Sequence, residues 1–251
     1  MEINKIYQGD CLELMKEVPD KSIDMILADL PYGTTKCKWD TIIPFEPLWE
    51  QYKRIIKDNG AIILTASQPF TSALVMSNIK MFKYEWIWVK NSGSGFLNAK
   101  KMPMKKHENI LVFYLTLPKY NPQNIIQDKK TIKTRKTFNK NTALGNIGVK
   151  NLGKEYVSEY TNYPISMIVC GEEKGLHPTQ KPVALFEYLI KTYTNEGDLV
   201  LDNVAGSFTT AIACENLKRN WICMEKEPEY CEIGKKRIEE NRIRINNILL
   251  K

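Results

Sequence analysis

Short apolar runs alternate with stretches of helical spacing along most of this chain. Residues 3–7, 23–28, 61–66, 85–89 and 110–115 in the first half, and 199–201 and 221–224 in the second, have the length and side chains of buried strands. Residues 12–17, 47–57, 70–79, 183–193, 209–217 and 229 to about 245 repeat their apolar positions with helical period. Such alternation predicts an α/β protein, a parallel sheet joined by crossover helices. Residues 119–163 break the pattern. Asn, Lys, Thr and Gly dominate there and no period is sustained, so the segment is expected to be an insertion, either a small module or a loop that orders on a ligand. The expected organisation is therefore a main domain of residues 1–118 and 164–251, interrupted by an inserted region at 119–163.

Charge sharpens the picture of that insertion. The whole chain carries +7, but residues 119–160 hold nine Lys and Arg against three acids. A local surplus of this kind suits phosphate backbones, although a solvated lysine-rich loop has the same composition. Six scattered cysteines without a C-x-x-C pair, and only two histidines, signal neither a disulfide framework nor a zinc cluster, so no metal is expected. No apolar run approaches the roughly 20 residues that span a bilayer, and residues 1–10 lack the layout of a signal peptide. The chain is expected to stay in the cytoplasm, away from membranes.

Three constellations carry chemistry. Asp29-Leu30-Pro31-Tyr32-Gly33 follows the apolar run 23–28, and ligands of open α/β sheets bind where strands end. Taken alone, such a Pro-Tyr-Gly is an ordinary turn. The stretch from Leu199 through Asp202-Asn203-Val204-Ala205-Gly206-Ser207-Phe208-Thr209-Thr210 reads as strand, small-residue turn and helix, which lets backbone amides approach a nucleotide or carboxylate. The next strand ends in Glu225, the position at which Rossmann-type folds place an acid for ribose hydroxyls; a surface acid after a strand is the plainer alternative. Gly9-Asp10 and His177-Pro178-Thr179-Gln180-Lys181-Pro182 each precede a predicted helix and read, singly, as caps or entry loops.

In that order, Asp29 to Tyr32, a basic insertion, His177 to Pro182 and Asp202 to Thr210 resemble the β-class amino-methyltransferases of DNA. Residues 60–64, 86–90 and 107–113 fit as well, so the resemblance spans nearly all of the chain except the insertion. It implies a Rossmann-like, S-adenosylmethionine-dependent methyltransferase sheet flanked by helices, circularly permuted, with an inserted target-recognition region. It further implies a catalytic set of Asp29, Leu30, Pro31 and Tyr32. Asp10, Asp29, His177, Thr179, Lys181, Asp202, Ala205, Gly206, Ser207, Thr209 and Glu225 are implied as the pocket for S-adenosylmethionine and its product S-adenosylhomocysteine. Two departures stand out. Leu30 replaces the usual second proline of the tetrad, and Asn203, Val204 and Phe208 replace the proline, phenylalanine and second glycine of an Asp-Pro-Phe-x-Gly-Ser-Gly-Thr loop. A Phe208 in place of that glycine is expected to put a bulky group near the methionine carboxylate.

By the same resemblance, Asp29 and the Leu30 carbonyl accept the two hydrogens of a base amine, and Tyr32 stacks on a base flipped out of double-stranded DNA. Methyl transfer is then an in-line displacement without a covalent enzyme intermediate. An initial Asp in the tetrad points to N6 of adenine; N4 of cytosine is the nearest alternative. An RNA methyltransferase and a nucleic-acid-binding protein without catalysis are the more distant ones. Asn121, Gln123, Asn124, Arg135, Asn139 and Asn141 are candidate base readers. Members of the family often pair, which adds a homodimer to the expected partners.

Overall fold

The computed structural model describes residues 1–35, 37, 40–134, 155–172 and 180–249. They fall into two compact units, Met1–Asn121 with Ser166–Lys251, and Pro122–Ile165. The larger unit has the strands β1 (Lys5–Gln8), β2 (Ile23–Ala28), β3 (Ile56–Ala66), β4 (Phe82–Ser94) and β5 (Lys105–Phe113) in its first part. The smaller unit contributes β6 (Ile126–Thr134) and β7 (Glu155–Thr161), and the chain returns to the larger unit with β8 (Met167–Val169), β9 (Leu199–Asp202) and β10 (Asn220–Glu225). The helices are α1 (Cys11–Leu14), α2 (Phe45–Ile55), α3 (Phe70–Ser77), α4 (Val183–Tyr193), α5 (Thr209–Asn216) and α6 (Pro228–Leu249).

Eight strands form one sheet in the order β1-β10-β9-β2-β3-β5-β4-β8. The expected parallel arrangement holds from β1 to β3, but β5 lies antiparallel between β3 and β4. Periodicity reports which face a side chain takes and is silent on strand direction, which is why this departure was not visible in the sequence. Along β2, Met25 and Leu27 enter one apolar layer while Ile26 and Ala28 enter the other. Both faces are covered, α4, α5 and α6 packing on the first and α1, α2 and α3 on the second, so β2 is apolar at nearly every position. Each fully buried Ile or Leu in these layers contributes about 2 kcal/mol.

The chain leaves the β9–β2 junction in opposite directions, β9 running on to β10 and β2 to β3. That junction is the topological switch point, where open α/β sheets place their ligands. Met25 pairs with Val200 and Ile26 with Leu201. At the opposite end of these strands the buried Asp24 carboxylate takes the Leu199 N–H at 3.0 Å and pairs with Lys57 at 2.7 Å and Lys119 at 3.3 Å. Burial alone would raise its pKa, but the Lys57 and Leu199 hydrogen bonds and the two lysine charges overcome this and hold it below the usual range.

Three expectations need correction. Ile56 and Lys57 belong to β3 and not to the preceding helix, and residues 15–17 form a separate 3-10 turn after α1. Within the segment expected to be an insertion, residues 126–134 and 155–161 pair as antiparallel strands. Their polar residues stand at odd and even positions alike, so no alternation betrayed them. Asn121, a candidate base reader, instead donates its amide to Lys191 O, Thr194 O and Asn195 Oδ1 around the end of α4. Arg135, Asn139 and Asn141 lie outside the described residues.

Candidate active site

The buried strand β2 delivers Asp29 to the edge of the sheet, and Pro31, which has no N–H, cannot continue the ladder. Oδ1 of Asp29 accepts the Tyr32 hydroxyl at 2.8 Å and the hydroxyl of Thr65, from the neighbouring strand β3. Its Oδ2 receives Nζ of Lys181 at 2.6 Å. Lys181, only 6% exposed, also stands 3.3 Å from Glu108; Glu108 pairs with Lys90 at 2.6 Å, and Lys90 reaches Glu172 at 3.3 Å. The result is a row of alternating charges, Asp29, Lys181, Glu108, Lys90 and Glu172, running from the strand end to solvent. Buried charges persist only when paired, and here each has an opposite neighbour.

The electrostatics follow from that row. Burial would lower the Lys181 pKa, but Asp29 and Glu108 outweigh it and hold the amine as ammonium. Burial would raise the Glu108 carboxyl, and Lys181 and Lys90 reverse the shift. Burial and the Asp29 and Glu108 charges push the Tyr32 phenol well above its ordinary value, so it remains a proton donor. One face of the Tyr32 ring rests on Phe70, centroids 5.3 Å apart.

The turn after the tetrad is set by a residue without a motif. Asp40 accepts the N–H groups of Gly33 (2.8 Å), Thr34 (2.9 Å) and Thr35 (2.6 Å). Gly33 sits at φ +67°, a conformation that glycine adopts without strain. Burial of Asp40 acts to raise its pKa, but the Thr35, Gly33 and Thr34 hydrogen bonds bring it below the usual range.

Across the junction, Asp202 ends β9 nearly fully buried. Its carboxylate takes the Thr210 hydroxyl at 2.5 Å and the Val204 N–H at 3.1 Å, yet burial dominates and pushes its pKa up to about 7. Asn203 accepts the Tyr52 hydroxyl at 2.6 Å, tying the loop to α2. Thr209 donates to Lys181 O at 3.2 Å, linking this loop to the residue that holds Asp29. Phe208 keeps the left-handed backbone that glycine would supply, φ +62°, but its ring is fully buried in the apolar layer against Gly234 of α6. It does not line the cleft, so the expected bulk beside a ligand carboxylate is absent.

Glu225, at the end of β10, accepts Gly206 N–H at 2.8 Å and Glu227 N–H at 2.9 Å, one on each oxygen. Its pKa is raised by burial. Asp10 caps α1 by accepting the Leu12 N–H at 2.9 Å and is otherwise exposed.

One cleft of about 750 Å³ opens at this junction. It brings together Asp10, Asp29, Leu30, Pro31, Tyr32, Lys181, Asp202, Ala205, Gly206, Ser207, Thr209 and Glu225. The expected His177 and Thr179 lie outside the described residues. Sequence reasoning missed Asp40, Lys90, Glu108 and Glu172. A charge abutting a buried strand, as Lys90 does after Val89 and Glu108 shortly before Ile110, was the available signal. Eight acids but only three lysines line the cleft, a surplus that suits a cationic ligand, and its volume falls in the range of cofactor pockets. Among the described residues no cluster of His, Cys, Asp and Glu could hold a metal ion, and no helix is long and apolar enough to cross a membrane.

Comparison with known proteins agrees with this geometry. The profile of a family described as DNA methylase matches residues 23–236. DNA adenine methyltransferase YhdJ of Escherichia coli is 30% identical, over 95% of this chain and 83% of its own length. The crystal structure of the M1.HpyAVI–SAM complex superposes with a TM-score of 0.62 at 26% identity, covering 93% of this chain and 98% of its own. The cytosine-N4-specific PvuII DNA methyltransferase shares the fold, with a TM-score of 0.66 at 17% identity over 98% of this chain and 94% of its own.

Proposed function

We propose that this chain, which belongs to the DNA methylase family and is a DNA methyltransferase, acts on the N6 amine of an adenine turned out of the duplex. The observation that carries the reading is Asp29, held by Lys181, Tyr32 and Thr65 at the switch point and facing the β9 loop. An adenine amine is a poor nucleophile because its lone pair is delocalised into the ring. The Asp29 carboxylate and the Leu30 carbonyl would accept its hydrogens and localise that lone pair, while Tyr32 would stack on the base.

The acidic lining and the Gly206 loop fit S-adenosylmethionine, whose sulfonium and ammonium groups are cationic. Bound there, it supplies an activated methyl group. Asp10 would accept from its adenine amine and Glu225 from its ribose hydroxyls. Gly206, Ser207 and Thr209, with Lys181 behind them, would hold its methionine end. The basic segment 119–163 would dock the duplex, its lysines on phosphates and Gln123 or Asn124 within reach of base edges. A DNA substrate would place its action in the compartment that holds the DNA, the cytoplasm of a cell without a nucleus.

The test is to incubate the purified protein with unmethylated plasmid DNA and S-adenosylmethionine and to analyse the digested nucleosides by mass spectrometry. N6-methyladenine is expected. N4-methylcytosine in its place would overturn the target assignment, and methylation of RNA alone would overturn the choice of DNA.

A further inference from the structure

Outside the cleft, the large side chains most at odds with burial stand at the tip of the β4–β5 hairpin. Leu97 is 97% exposed and Phe96 78% exposed, in a short helical turn that begins after Gly95 at φ +90°. Leaving two such groups in water forgoes about 2 kcal/mol of burial apiece, and nothing in the fold of this unit gives a return for it.

The hairpin rises from the cleft itself. Lys90, near the outgoing foot, and Glu108, near the returning one, both line the cleft, and β4 ends at the same sheet edge as Asp29 because β5 is antiparallel to both β3 and β4. Lys105 donates to Ser67, just beyond the end of β3, which pins the returning foot to that edge. Between residues 91 and 107 the sequence has Lys100, Lys101, Lys105 and Lys106 and no acid. Apolar tips ringed by cations match a surface that is anionic outside and apolar within.

We infer that Phe96 and Leu97 form a wedge that enters the DNA duplex where the target base has been turned out. The inference rests on the DNA methyltransferase reading. Turning out a base breaks its pair and leaves a gap in the stack; an apolar side chain in the gap restores contact with the neighbouring bases and blocks the base's return. The lysines neutralise flanking phosphates as the tip enters.

The test compares wild type with Phe96→Ala/Leu97→Ala on two synthetic duplexes. Both carry the site that the wild type modifies in plasmid DNA. In the first the target base is correctly paired; in the second it faces a mismatched base, so that turning it out costs little. The variant is expected to methylate the paired duplex about tenfold more slowly than wild type and the mismatched one within about threefold. Its thermal stabilisation by S-adenosylhomocysteine should match that of wild type. Equal rates on the paired duplex, or the same loss on both, would overturn the wedge. So would binding of the wild type, but not the variant, to phosphatidylserine-containing vesicles with unaltered duplex rates, since a membrane offers the same surface chemistry. A wild type that modifies no site in plasmid DNA would remove the DNA reading, and the wedge with it.

Discussion

The ammonium of Lys181 lies 2.6 Å from Oδ2 of Asp29 across 152 residues of sequence. Lys181 also touches Glu108, so one buried cation is shared by two carboxylates, one at the reaction centre and one behind it. This arrangement fixes which Asp29 oxygens are engaged before any base arrives.

Lys181→Met should therefore lower kcat at least tenfold and also destabilise the fold by about 3 kcal/mol, because two partly buried carboxylates lose their counter-charge. The stability loss should depend on pH. Glu108 has its pKa held down in the fold, so its contribution is present above the ordinary carboxylate range and is lost as pH falls through its folded value. The difference in melting temperature between wild type and variant should be large at pH 7 and shrink toward pH 4; a constant difference would contradict the pairing.

Asp29→Ala should abolish methyl transfer while leaving S-adenosylhomocysteine able to raise the melting temperature. The carboxylate is assigned chiefly to the amine of the base, whereas Glu225 and the Gly206 loop carry most of the cofactor contacts. Turnover above a few per cent of wild type in the purified variant would remove the mechanistic role given to this residue.

Asp202 gives a titration of opposite sign. Its pKa rises from an ordinary 3.8 to about 7, so its stabilising term is fully present below pH 4 and is lost as pH climbs through 7. Asp202→Asn keeps the shape and removes the charge. Relative to wild type, the variant should become progressively more stable between pH 4 and pH 7 and level off above, as thermal melts across that range would reveal.

At Gly234 the constraint is steric. A Cβ there would overlap the Phe208 ring, so Gly234→Ala should cost about 1–3 kcal/mol by chemical denaturation. In a Phe208→Leu background the same substitution should cost less. An additive pair would show that the ring and the helix do not press on each other.

Much of this architecture could be read from single stretches. The apolar run of β2, broken only by Asp24, announced a buried strand, and α4 spans the residues its spacing predicts, Val183–Tyr193. The neighbouring positions of β2 and β9 follow from pairing that only the folded chain displays, though the ordered motifs pointed toward it. The ion row was illegible for a related reason. Lys181, Glu108 and Lys90 lie in three separate segments, and no local pattern records that they meet. Phe208 looked like an obstruction because sequence gives identity without direction; its backbone follows the loop while its side chain turns into the core.

The interleaved strand order has a consequence during synthesis. β2 is made long before β9, its neighbour on one side, and β1 can join the sheet only through β10. Until those later strands emerge from the ribosome, the apolar strand Ile23–Ala28 presents a naked backbone edge, a template for pairing with other nascent chains. Premature termination upstream of residue 199 would thus yield a sticky, inert fragment in place of a weakened enzyme, and DNA is safe from partial products.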